Sequence, residues 1–150
     1  IFLRKFLAGP PPPSVMILMV QKEVAHRVIA NPPESILGVM VQFYSIPAKI
    51  RTVSSYNFWP SPRVDSALIR LDVKRNIHDV EEDTFFQLVR MGFSSKRKML
   101  KNNLASKLDL SSEEVVRILK DVDISPDVRA QELYVEDWVR LLGRVSEYMI

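Results

Sequence analysis

The sequence predicts an α/β part followed by an all-helical part, and three observations carry that expectation. Residues 15–20 (VMILMV) are apolar at every position, as in a strand covered on both faces of a parallel sheet. Val24, Val28 and Ile29 then recur at helical spacing, and two further β-rich stretches follow at residues 48–54, after Ile46 and Pro47, and at 67–73. Beyond residues 75–80 only helix signals remain, so residues 1–76 and 77–150 are expected to be separate parts.

Residues 1–8 resemble the end of a helix, closed by Gly9 and the tract Pro10, Pro11, Pro12, Pro13. A proline run between two apolar segments acts as a rigid connector more readily than as a polyproline ligand. The strand at 15–20 runs into a helix over 21–30, which Asn31, Pro32 and Pro33 end; Ser35 then offers an N-cap for a helix to Tyr44. In the second part, Glu81, Glu82 and Asp83 stand ahead of Phe85, Leu88 and Val89, where carboxylates favour a helix start and do not suggest a catalytic pair. Gly92 to Ser95 interrupts the pattern, and Ser94 or Ser95 is placed to cap a basic helix through about Ser106. Ser111 with Glu114 forms a capping box for a helix to about Val122, and Ser125 with Pro126 opens a short turn. Trp138, Leu141, Leu142, Val145 and Met149 form the apolar stripe of a last helix.

Composition narrows function. The four glycines (Gly9, Gly38, Gly92, Gly143) are far apart, so no Gly-rich phosphate loop exists in these 150 residues. There is no cysteine and only His26 and His78, which removes cysteine-ligated zinc, a thiol nucleophile and a disulfide framework. The longest apolar run is six residues, against the roughly 20 of a membrane span, so a soluble protein is expected and a cytoplasmic one is compatible. A first residue of Ile1 suggests a piece of something longer.

The net charge of +3 conceals a polarity. Residues 84–108 carry Arg90, Lys96, Arg97, Lys98, Lys101 and Lys107 with no carboxylate, whereas residues 109–150 carry ten carboxylates against five cations. Such an island suits a phosphate-rich partner; it equally suits a solvated face balanced in space by the acidic tail.

The most unusual segment is Tyr56-Asn57-Phe58-Trp59-Pro60-Ser61-Pro62-Arg63-Val64-Asp65-Ser66, with three aromatics beside two prolines just before a strand. Prolines stiffen a loop, and a ring held by them can stack on a nucleobase; on the residues alone, Phe58 and Trp59 filling a hydrophobic gap where the loop rejoins its sheet is the favoured reading. Asp65 and Ser66 are ordinary turn and strand-entry residues on their own.

The residues Phe58 to Ser66, in the pattern FxPxPxVDS, resemble the late motif of the KsgA-type ribosomal RNA adenine dimethyltransferases. Met19-Val20-Gln21-Lys22-Glu23-Val24-Ala25 with Arg27, Phe93 with the stretch from Lys96 to Leu104, and the stretches Arg129 to Leu133 and Val135 to Trp138 resemble three more motifs of that family, in the right order across the chain. The resemblance implies the last three strands (5 to 7) of a Rossmann-like methyltransferase sheet followed by a small helical RNA-docking domain. It further implies dimethylation at N6 of adjacent adenines near the 3′ end of small-subunit ribosomal RNA, with S-adenosylmethionine as donor, no metal, and the immature small ribosomal subunit as partner. Phe58 is then the target-base stacking residue, Pro60, Pro62, Arg63, Val64, Asp65 and Ser66 its loop, and Arg90, Lys96, Arg97, Lys98 and Lys101 the RNA contacts.

Both the glycine-rich donor loop and the Asn-x-Pro-Tyr motif of the family are missing from the sequence, so the resemblance implies an inactive C-terminal portion without a complete catalytic site. Ser94-Ser95 departs from the family's usual Gln or Asn with Arg, Tyr134 from its usual Ser, and Trp59 from its usual small residue. A large-subunit resistance methyltransferase, a non-catalytic helical nucleic-acid-binding domain and a plain interaction domain are the alternatives. Cut free, the strand at 15–20 would expose an apolar edge, so self-pairing or retention of the missing half is expected.

Overall fold

The computed structural model describes residues 2–9, 11–74 and 79–149. Ile1, Pro10 and the expected boundary between residues 76 and 77 lie outside the described residues. The described chain runs α1 (Phe2–Leu7), β1 (Val15–Gln21), α2 (Lys22–Ile29), α3 (Ile36–Tyr44), β2 (Ser45–Val53), β3 (Ser66–Val73), α4 (Glu82–Gly92), α5 (Leu100–Leu108), α6 (Ser112–Asp121) and α7 (Val135–Val145). It is an α/β arrangement in which three strands form one sheet of order β1-β3-β2, both pairings antiparallel.

That pairing corrects the expected parallel strand covered on both faces. In β1 burial alternates, with Met16, Leu18 and Val20 packed against the core and Val15, Ile17 and Met19 exposed. An apolar run says that both faces of a strand tolerate burial; it carries no information on strand direction or on which face is covered. The register sets Val15, Ile17 and Met19 opposite Asp72, Arg70 and Leu68, on the sheet face away from α2 and α3. Pro47 sits in β2, an edge strand of the sheet, where its missing N–H costs no ladder bond on the open side.

Ala67, Ile69 and Leu71 of β3 face the core with Ala25, Val28, Val39 and Phe43. Ser35 caps α3, its Oγ accepting from the Gly38 N–H at 3.1 Å. Glycine is required at 38 because a Cβ there would lie 2.6 Å from the Arg27 carbonyl oxygen, so α2 and α3 meet almost backbone to backbone. The two parts of the chain share one continuous core: the Phe43 ring lies 4.5 Å from Phe85 and 5.4 Å from Phe86. Beside these rings the Arg4 guanidinium lies over Phe86 and bonds the Asp83 carboxylate at 2.7 Å, while the Tyr44 hydroxyl donates to Glu82.

The helical part follows the predicted signals with one correction. Glu81 caps α4, Ser111 and Glu114 form the capping box of α6, and α7 buries Trp138, Leu141, Leu142 and Val145. Neither Ser94 nor Ser95 caps a basic helix: α5 begins only at Leu100 after Met99, and residues 94–98 form a turn closed by Lys98 N–H to the Ser95 carbonyl at 3.1 Å. The physical reason is Asn103, whose buried amide donates to the carbonyls of Gly92 (2.6 Å) and Ser95 (3.1 Å) and so holds the chain out of a helix there. Tyr134 supplies no side-chain cap to α7; instead the Asp137 carboxylate accepts the Tyr134 N–H at 2.8 Å.

Candidate nucleic-acid interface

The loop between β2 and β3 is built at the carboxyl end of β1. Ser66, the first residue of β3, pairs with Gln21 at the end of β1 and with Val53 at the end of β2, so residues 54–65 leave and rejoin the sheet at one point. In open α/β sheets ligands bind outside the carboxyl ends of strands, where loops are free to diverge. Besides the bonds of its own first turn, this loop is held by the Ser55 N–H donating to Asp65 Oδ1 at 3.1 Å, the Ser61 hydroxyl donating to the Ser55 carbonyl at 2.9 Å, and the Lys22 N–H donating to the Asp65 carbonyl at 3.0 Å. Asp65 therefore ties the loop to itself and to the first residue of α2, a role that its turn-like sequence setting did not reveal.

Within the loop, Ser55–Asn57 form a 3₁₀ turn and Phe58 continues with extended backbone, its ring half-buried. Pro60, Pro62, Arg63 and Val64 are exposed, Asp65 and Ser66 partly so. Tyr56 and Trp59 stand almost wholly in solvent, at 90% and 98% exposure. Tyr56 and Trp59 thus fill no gap under the sheet, whereas the Phe58 ring is partly covered where the loop rejoins it.

Two hollows that sequence reasoning missed flank the start of α2. One is lined by Lys22, Glu23 and His26 with Val64 and Asp65 of the loop. The other shares Lys22 and His26, adds Lys49 of β2, and has an apolar floor of Ala25, Ile29 and Ala30. Glu23 is matched by Arg27 at 3.1 Å, while Lys22, His26 and Lys49 have no ion-pair partner among the described residues. Their signal in the sequence was faint, because Lys49 reaches α2 only through the register of β2.

Of the cations expected on the basic helix after Ser95, Lys96, Arg97 and Lys98 lie ahead of it instead. Arg90 lies on α4, Lys96, Arg97 and Lys98 on the exposed turn, and Lys101 and Lys107 on α5. Only Lys101 of these meets a carboxylate among the described residues, Asp127 at 3.0 Å. The acidic tail therefore balances one charge in six, and the turn cations remain available to a phosphate-rich partner. Asn103 was the residue to notice: a polar side chain at a core position between Leu100, Leu104 and Leu108.

Among the described residues the glycines offer no cradle for a methyl donor. None has a positive φ, and at 38 and 92 a side chain would run into protein, a Cβ at 92 lying 2.3 Å from the Trp138 ring. Nor is there, among the described residues, a group of three or more His, Cys, Asp or Glu that could hold a metal ion. No helix there is long and apolar enough to cross a membrane.

Comparison with known proteins agrees with the motifs. The family described as Ribosomal RNA adenine dimethylase matches residues 2–147. Among curated relatives, a Ribosomal RNA small subunit methyltransferase A from Dehalococcoides mccartyi is 37% identical over 142 residues, covering 93% of this chain and 49% of the relative. Another of that name from Rippkaea orientalis is 39% identical over 150 residues, with coverages of 93% and 54%. The chain thus spans about half the length of the curated relatives it matches. In fold it resembles the crystal structure of a dimethyladenosine transferase from Plasmodium falciparum (TM-score 0.81, 24% identity, 99% of this chain and 62% of that one). It also resembles that of the 23S rRNA methyltransferase ErmE (TM-score 0.70, 20% identity, 97% and 59%).

Proposed function

Because this chain belongs to the ribosomal RNA adenine dimethylase family, we propose that it is the base-clamping and RNA-docking portion of an S-adenosylmethionine-dependent adenine N6,N6-dimethyltransferase. The substrate on this reading is the 3′ region of small-subunit ribosomal RNA, presented by the immature small subunit in the cytoplasm. What supports the small-subunit assignment is the name shared by the curated relatives. The finer architecture proposed is the last three strands of a Rossmann-like methyltransferase sheet in residues 1–76 and a helical docking domain in 77–150.

The observation that carries this reading is the loop 54–65, pinned by Asp65 and Ser61 at the carboxyl end of β1 with Phe58 half-buried in it. A ring so held can stack on an extruded adenine and orient its amine, and this is catalysis by positioning. The exposed turn of Lys96, Arg97 and Lys98 grips phosphates, which contributes affinity and register without reading sequence. No residue of this chain is assigned to hold the donor, and the fragment alone is expected to be inactive.

The test is binding of a fluorescently labelled hairpin from the 3′ end of small-subunit ribosomal RNA, followed by anisotropy across salt concentrations. Three phosphate contacts give a log–log salt slope of about −2 to −3. Isothermal calorimetry with S-adenosylmethionine should show no binding. A preference for duplex DNA over the hairpin, or tight donor binding, would overturn the assignment.

A further inference from the structure

Phe58 alone does not account for the aromatic content of the loop. Trp59 and Tyr56, the two most exposed large apolar side chains, occupy the same pinned segment. Successive side chains of an extended backbone project to opposite sides, and Phe58 is extended at φ −122°, ψ 149°. Phe58 and Trp59 therefore do not grip one base between them, and the Trp59 ring is open to an occupant of its own. Charge indicates which kind: the loop's far end, Val64 and Asp65, shares a hollow with Lys22, His26 and Glu23, the last matched by Arg27, and the adjoining hollow brings Lys49 over an apolar floor. Free ring faces on a loop whose root adjoins unpaired cations are a combination that binds unpaired nucleotides, the rings taking bases and the cations the backbone. Because the loop is already held by Asp65, Ser61 and two prolines, stacking orders little that is not ordered beforehand.

We propose that Trp59, assisted by Tyr56, is a stacking platform for an unpaired RNA base flanking the target adenine, with that nucleotide's phosphates on Lys22 and Lys49. This rests on the RNA reading above and goes beyond it: Phe58 engages the reacting base, whereas Trp59 selects for a neighbour that is single-stranded. Trp59 is then a positioning residue, acting through the strand that carries the target.

The chain provides its own probe, since Trp138 is fully buried and Trp59 is exposed, so solvent-quenchable emission belongs to Trp59. The ligand is an RNA hairpin with an adenine loop, against a fully paired RNA duplex of the same composition. The hairpin should quench the Trp59 component and shield it from acrylamide, and the duplex should do neither. Trp59→Ala should weaken hairpin binding by roughly 5- to 150-fold, the loss of one base stack, with duplex binding and urea stability unchanged. Trp59→Phe should restore most of the affinity. Hairpin binding by anisotropy with unaltered Trp59 emission, and an unaltered Kd for Trp59→Ala, would refute the platform and leave the RNA reading standing. Failure of every RNA to bind would remove both. Blue-shifted Trp59 emission that depends on protein concentration without RNA would place the ring in a protein contact and also overturn the proposal.

Discussion

Replacing Asn103 by alanine isolates the interaction that shapes the basic turn. Asn103 is 2% exposed, and its amide donates to the carbonyls of Gly92 and Ser95. The Ser95 carbonyl keeps a second bond, from the Lys98 N–H at 3.1 Å, whereas Asn103 is the partner of the Gly92 carbonyl. The substitution thus orphans one buried acceptor, at about 1–3 kcal/mol, and removes a second bond worth about 0.5–1.5 kcal/mol. The expected loss is about 2–4 kcal/mol, read as a lower urea midpoint with unchanged m-value. RNA affinity should fall too, because Lys96, Arg97 and Lys98 lose the anchored turn that spaces them. Asn103→Asp sharpens the test. An ionised carboxylate facing two carbonyls cannot donate, so its folded-state pKa lies above the unfolded value. Its extra deficit is then smallest below about pH 4 and grows as pH rises. A loss under about 0.5 kcal/mol in Asn103→Ala would refute the claim that this amide holds the turn.

Four further outcomes follow from the same geometry. Gly92→Ala drives a Cβ to 2.3 Å from the Trp138 ring and 3.0 Å from Leu100, so thermal denaturation should show about 1–3 kcal/mol of destabilisation, partly relieved in the double variant with Trp138→Phe. Burial, then its bond to Glu82, pushes the Tyr44 hydroxyl up to about 12; stability is therefore full below pH 10 and declines as pH rises toward 12, and urea midpoints of Tyr44→Phe should decline less over that window. Asp127→Asn frees Lys101 from its 3.0 Å partner and should raise RNA affinity and steepen its salt slope by just under one, whereas alanine at 96, 97 and 98 together should flatten it by about 2–3. If the exposed apolar residues of edge strand β1, Ile17 at 61% among them, drive self-pairing, light scattering should find the parent above monomer mass and Ile17→Lys at it, and a clean monomeric parent would contradict this.

Helix ends were the most legible feature of the sequence because capping is local. Ser35, Glu81 and the Ser111–Glu114 box act within three residues of where they stand. The apolar stripe of α7 was equally readable, since its period is set by the helix itself. Strand direction was not readable in residues 15–20, because pairing is decided by Ser66–Val73, about fifty positions away. The start of α5 was misplaced for a similar reason: two serines fit a local cap, and a long-range amide bond from Asn103 overrode them. In the site, the loop and the island were evident as composition, while the role of Asp65 and the hollows around Lys22, His26 and Lys49 depended on contacts that only the sheet brings together.

Those contacts bear on how the two recognition elements cooperate. The loop 54–65 belongs to the sheet and the basic turn 94–98 to the helices, yet no break in packing separates them: Phe43, Phe85 and Phe86 interlock at 4.5–5.4 Å, and Arg4 bonds Asp83 across the junction at 2.7 Å. On the proposed reading, an RNA held by the turn meets the loop at a spacing that the core has already set, so the second contact is intramolecular and benefits from effective concentration. The consequence is measurable as non-additivity. With a hairpin long enough to reach both, removing the turn cations and Trp59 together should cost less than the two separate losses combined, because once one grip is gone the other no longer holds the RNA in place for it. Strict additivity would mean that the two elements bind RNA independently, with no fixed geometry between them.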